Sequence, residues 1–77
     1  MKRFDKRKRI YATASAMSVQ TWKPWYICKK PGFDDVSVSE ENLKRYMQLG
    51  FKVECVFYEG KRYKNLYMLD GKLQFVM

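Results

Sequence analysis

The residues with the most evident chemistry open the chain: Lys2, Arg3, Lys6, Arg7, Lys8 and Arg9 place six cations within eight positions, offset only by Asp5. Side chains of this kind at this density neutralise phosphates and release their counterions, so the expected ligand is a polyanion. Nucleic acid comes first and an anionic membrane surface second. A second set lies in the C-terminal part, where Lys52, Tyr58, Tyr63, Tyr67 and Lys72 are spaced so that an antiparallel sheet would carry them on one face, with Arg62 adjoining. Bases stack on tyrosine rings without sequence preference while lysines follow the phosphates, which would make that face a platform for single strands. The same spacing equally suits a second core layer, since tyrosine is a favoured strand residue and cross-strand tyrosine pairs stabilise hairpins.

Other chemistries find little support. The chain has no histidine, so general acid–base work would fall to carboxylates or to a perturbed Lys, Tyr or Cys. The adjacent Asp34 and Asp35 sit in a loop-like stretch and point different ways. A cysteine nucleophile would lack its base, and neither a phosphate-cradling GxxxxGK[ST] nor a GxGxxG occurs. Cys28 and Cys55 are too few for a zinc shell and lie in apolar surroundings, which reads as two reduced, buried thiols. The expectation is a protein without catalytic activity, metal or cofactor.

Charge is unevenly distributed. The 77 residues carry 16 Lys and Arg against 8 Asp and Glu, a formal charge of +8. Six of those cations belong to residues 2–9, so ten basic and seven acidic residues remain for positions 10–77. The reading is therefore a flexible basic arm over 1–9, without apolar period, followed by one domain over 10–77. No run approaches the roughly 18 apolar residues of a membrane span. The stretch Ile10 to Val19 is too polar for a secretory signal, so a cytoplasmic location is expected.

The elements that must position these residues begin uncertainly. From Ile10 to Val19 the pattern fits a helical face (Ile10, Ala14, Met17) or a strand (Ile10, Ala12, Ala14). Aromatics from Trp22 to Cys28 indicate a strand that Pro24 either confines to a sheet edge or delays to Trp25. Pro31 to Asp35 reads as a loop. Ser37 with Glu40, or Ser39 alone, offers an N-cap, Glu40 and Glu41 precede Lys44 and Arg45 by four, and Gly50 suits a left-handed C-terminal cap, so a helix is expected over 38–49.

Period-two alternation then indicates antiparallel strands over 51–58, 63–69 and 72–77, with a type I′ turn at Asp70-Gly71. A two-residue loop there pairs Met68 with Leu73 and Leu66 with Phe75. The earlier turn falls at Gly60-Lys61 or at Glu59-Gly60. On this register Val53, Cys55, Phe57, Leu66, Met68, Leu73, Phe75 and Met77 form one core layer under the helix. Deletion of Phe75 to Met77 would then unfold the domain.

The expected fold class is α+β: one helix on a small antiparallel sheet of three meandering C-terminal strands plus an N-terminal aromatic edge strand. A small SH3-like barrel is the alternative. The aromatic-glycine signature of RNA-binding sheet domains is absent from Phe51 to Tyr58, as is the cold-shock pattern. Two functions fit these residues. One is a small basic accessory protein that binds DNA or RNA through the arm and the tyrosine face. The other is a compact protein of the kind viruses, phages and mobile elements use to bind and modulate a host protein, with aromatics as anchors.

Overall fold

The first element is a helix because nothing in its nineteen residues stops one: α1 (Arg3–Thr21) contains neither glycine nor proline and is seeded with alanine at positions 12, 14 and 16. The computed structural model describes residues 3–76, with side chains from Lys8 onward; Lys2, expected to contact phosphate, and Met77, expected in the core, lie outside the described residues. The segment read as a flexible arm is thus drawn into α1 from Arg3, and the ambiguous stretch from Ile10 to Val19 is resolved as helix. Ala14 and Ser18 are fully buried on its inner side, with Ile10, Tyr11 and Met17 half-buried beside them.

After α1 come β1 (Trp25–Lys29), β2 (Val36–Ser39), α2 (Glu40–Gln48), β3 (Lys52–Tyr58), β4 (Lys61–Tyr63), β5 (Leu66–Leu69) and β6 (Lys72–Phe75). The fold class is α+β, and its sheets are antiparallel. No closed barrel forms among the described residues, and the four-stranded sheet has open edges in the order β2-β1-β3-β4.

Three details differ from the sequence reading. The aromatic strand is central rather than an edge, because Val36–Ser39 forms an unforeseen strand on its outer side. That same strand delays the second helix from the expected position 38 to Glu40, so that of the two caps offered Ser39 is the one used. The expected meander is also broken. β4 pairs with β3 and stops at Tyr63, while β5 and β6 form a separate two-stranded ribbon.

Turn chemistry was the most reliable guide. Asp70 and Gly71 both have positive φ, as a type I′ turn requires, and pair Leu66 with Phe75 and Met68 with Leu73. Glu59 and Gly60 repeat the device between β3 and β4. Gly50, at φ 99°, closes α2 with Gly50 N–H donating to Met47 O and Phe51 N–H to Tyr46 O, and the Phe51 ring folds edge-on against Tyr46.

The core has two layers instead of one. β1 pairs with β3 so that Ile27 faces Cys55 but Cys28 faces Val53, which leaves Glu54 as an extra residue, a β-bulge. The bulge reverses the alternation. Cys55 and Phe57 join Ala14, Ile27 and Trp25 on the α1 side. Val56 joins Tyr26, Cys28, Val38, Leu43 and Phe51 on the other, where Val53, Tyr63, Leu66, Leu73 and Phe75 pack against them. The single layer from Val53 to Phe75 is therefore divided between two faces, and Met68, at the ribbon's tip, is exposed.

The β3–β4 turn is fastened to α1 through small polar residues. Gly60 N–H donates to Ser18 Oγ (2.9 Å), Ser18 Oγ–H donates to Ser15 O (2.7 Å), and Ser15 Oγ–H donates to Gly60 O (3.0 Å). Replacement of Ser18 by Ala leaves the half-buried Gly60 N–H without its acceptor, a loss of about 1–3 kcal/mol. The expected Tm falls by roughly 4–8 °C per kcal/mol in a domain of this size; a thermal melt of Ser18→Ala within 1 °C of the parent would refute this role.

Candidate nucleic-acid interface

The bulge that splits the core also builds a recess lined mainly by polar side chains. Glu54 leaves the strand alternation on the α1 side, where Tyr11 Oη–H donates to its Oε2 (2.7 Å) and Lys29 Nζ donates to its Oε1 (2.9 Å). Arg62, opposite Phe57 in the β3–β4 ladder, lies with its guanidinium carbon 5.4 Å from the centre of the Tyr11 ring. Tyr11, Glu54, Cys55, Arg62 and Lys64 line a half-open cleft of about 270 Å³.

Tyr11 stands beside Glu54, and Ser15 and Ser18 stand beside Gly60, so α1 runs in the same sense as β3. Its first turns therefore lead toward the sheet end where Lys29 pairs with Lys52. Lys8 and Arg9, both exposed, lie within one turn of Tyr11. Arg3, Lys6 and Arg7 belong to the same helix, with their side chains outside the described residues. Among the cations expected to act from a loose arm, Lys8 and Arg9 are thereby carried on a helix whose Tyr11 lies beside Arg62.

The tyrosine platform is not formed. Tyr58 and Tyr63 are half-buried with ring centres 5.7 Å and 5.3 Å from Phe75, because the β5–β6 ribbon folds back over that face. Tyr67 is exposed, but on the ribbon opposite Gln74, apart from the other two. Lys72 is exposed opposite Leu69, and Lys52 is exposed at the start of β3. Of the expected site residues, Lys8 and Arg9 lie on the helix whose Tyr11 meets Arg62, whereas Lys72 and Tyr67 stand on the separate ribbon. Tyr11, Lys29, Glu54 and Lys64 were missed. Tyr11 had a signal, an aromatic one turn beyond the cations; the Glu54 bulge had none.

Elsewhere, Trp22 is 73% exposed and adopts φ 56°, the left-handed position that follows the end of α1. For a non-glycine residue this conformation costs about 1 kcal/mol or more. No group of His, Cys, Asp and Glu that could hold a metal ion occurs among the described residues, and no helix there is long and apolar enough to cross a membrane.

The two cysteines lie on opposite faces of the sheet, Cys28 among the α2-side residues and Cys55 among the α1-side residues. Burial pushes both thiols up to about 11, with the neighbouring Cys55 adding to the effect on Cys28 and Glu54 to that on Cys55. Comparison with family models, with curated proteins and with solved structures yields no match.

A thiol raised in the folded state contributes stability that is fully present below its ordinary value of 9 and is lost as pH rises through about 11. Burial also pushes Tyr26 up to about 12, with Glu40 adding to the effect, which extends the loss beyond that window. Denaturant midpoints are expected to hold to pH 9 and then fall. Disulfide-exchange reagents at pH 8 should react with the native thiols at least 100-fold more slowly than with the unfolded chain. Rapid native labelling of either cysteine would contradict their burial.

Proposed function

We propose that this protein binds nucleic acid, with the basic first turns of α1 as its principal contact and Arg62, Lys64, Lys29 and Lys52 extending the positive surface onto the sheet. The observation that carries the reading is the attachment of α1 at Tyr11, which holds the helix bearing Lys8 and Arg9 against the strand bearing Arg62. A helix already formed loses less conformational freedom on binding than a loose tail would, so more of the phosphate attraction is realised as affinity. Arg62 and Lys64 have no carboxylate partner within salt-bridge distance among the described residues, which leaves their charge available to a ligand.

Binding of this kind is electrostatic and weakens steeply with salt. Affinity for a generic oligonucleotide is expected to fall linearly with salt on a log–log plot. Replacing both Lys8 and Arg9 by Gln should reduce the slope by about 1.4–1.8, as two lost phosphate contacts require. Absence of binding to any oligonucleotide at low ionic strength, measured by anisotropy, would remove this reading.

A protein partner is the second reading, of the host-modulating kind, and Trp22 favours it. A large aromatic left in water on a strained backbone position serves no purpose in the isolated fold, and tryptophan is a frequent interface anchor. The substitution Trp22→Gly relieves the left-handed strain and exposes less apolar surface. It should therefore hold or raise stability by about 0.5–1 kcal/mol. A clear loss of stability in a chemical melt would show that Trp22 serves the fold instead, and would sink this second reading.

A further inference from the structure

We infer that the cleft at the Glu54 bulge seats one unpaired base of a single-stranded nucleic acid, stacked on the Arg62 guanidinium, which itself lies on the Tyr11 ring. The inference rests on the nucleic-acid reading and specifies its ligand.

Four features of the recess support it. Its volume of about 270 Å³ is just under the roughly 300–1,000 Å³ of drug-sized pockets, which suits a single planar ring system better than a longer stretch of chain. Its wall is a planar, weakly hydrated cation: Arg62 is exposed, faces Tyr11 on one side and makes no ion pair among the described residues, so a base can lie against the remaining surface. Its geometry is held in advance. Tyr11 and Lys29 fix Glu54 from two directions, and the bulge that aims Glu54 is built into the β1–β3 ladder. Its remaining lining is the buried Cys55 and the carboxylate of Glu54, whose two oxygens already accept from Tyr11 Oη–H and Lys29 Nζ.

The surroundings complete a path for the chain. Lys64 stands on the rim, and Lys8 precedes Tyr11 by three positions on the same side of α1, so cations flank the recess from the sheet and from the helix. A paired base has its ring face buried between neighbours in the duplex and cannot enter a recess of this shape. An unpaired one can, and aromatic rings and arginine planes are the usual surfaces on which such bases stack. A seat of this kind reads stacking rather than base identity, so it tolerates sequence variation.

The test uses the full chain with two probes of equal phosphate number: a single strand containing 2-aminopurine and a duplex. The single strand should bind more tightly, with quenching of the 2-aminopurine emission as the base stacks. Arg62→Lys keeps the charge and removes the plane. It should weaken single-strand binding roughly ten-fold, within the range one stacked base supplies, with the salt slope and the duplex affinity unchanged. Tyr11→Leu, accepted only if its circular dichroism matches the parent, should remove the quenching. Salt-dependent binding of both probes that is indifferent to Arg62→Lys would overturn the base seat and leave the phosphate-binding reading standing. No binding of either probe at low salt would overturn both. Equal weakening of both probes by Arg62→Lys would show that Arg62 meets phosphate only, and would also overturn the seat.

Discussion

The inner strands β1 and β3 are covered on both sides, and the extra residue Glu54 in β3 decides which side chains go to which cover. Without the bulge, Val53 would fall on the face of Cys55 and Phe57, beneath α1, and the layer containing Tyr26, Cys28 and Val56 would lose a member at its end. With it, the α1 face is made of Trp25, Ile27, Cys55 and Phe57, and the opposite face of valines, tyrosines and Cys28. The displaced glutamate cannot remain as a bare charge at a half-buried position, so Tyr11 and Lys29 meet it. One irregularity thus sets the division of the core, the attachment of α1 and the polar recess.

The covering of the two faces differs in kind. α1 presents small residues, Ala14, Ser15 and Ser18, and so approaches the sheet closely enough for serine hydroxyls to reach the backbone of the β3–β4 turn. A Cβ on Gly60 would lie 3.2 Å from Val19 Cγ2, which shows how little space remains. On the far side α2 contributes Leu43 and Tyr46, and the ribbon adds Leu66, Leu73 and Phe75. An isolated two-stranded ribbon is marginal in water, so β5 and β6 depend on that apolar contact for their order.

What could be read from sequence follows from this. The α+β class, the cap at Gly50, both positive-φ turns and the pairing of Leu66 with Phe75 were legible because each depends on neighbouring residues alone. α1 was not, since its buried stripe is alanine and serine rather than aliphatic and leaves no hydrophobic period for a reader to find. β2 was hidden because Ser37 and Ser39 resemble helix caps, and only pairing with β1 holds Val36–Ser39 extended. The bulge has no local signature either, and it moves Cys55 and Phe57 out of the expected layer while Val53, Leu66, Leu73 and Phe75 stay together on the α2 side. In the candidate site, the cations were visible by type. Their neighbours Tyr11 and Glu54 became relevant only through contacts across 43 positions of chain.

The change from a loose arm to a helix alters the physical character of the proposed interface. A disordered tail meets phosphates wherever they lie and yields binding that is salt-sensitive and indifferent to shape. Cations along a helix are spaced at 1.5 Å per residue and spread around its axis, so only part of them can face one strand at a time. The remainder point toward a second stretch of ligand or toward solvent. Shape selection then has to come from what the helix is fixed against, and that is the recess where Tyr11, Arg62 and Glu54 meet. On the proposed reading attraction and discrimination are separated: long-range charge on α1 would gather the polyanion, and a short-range stacking surface beside it would determine which form of polyanion is retained.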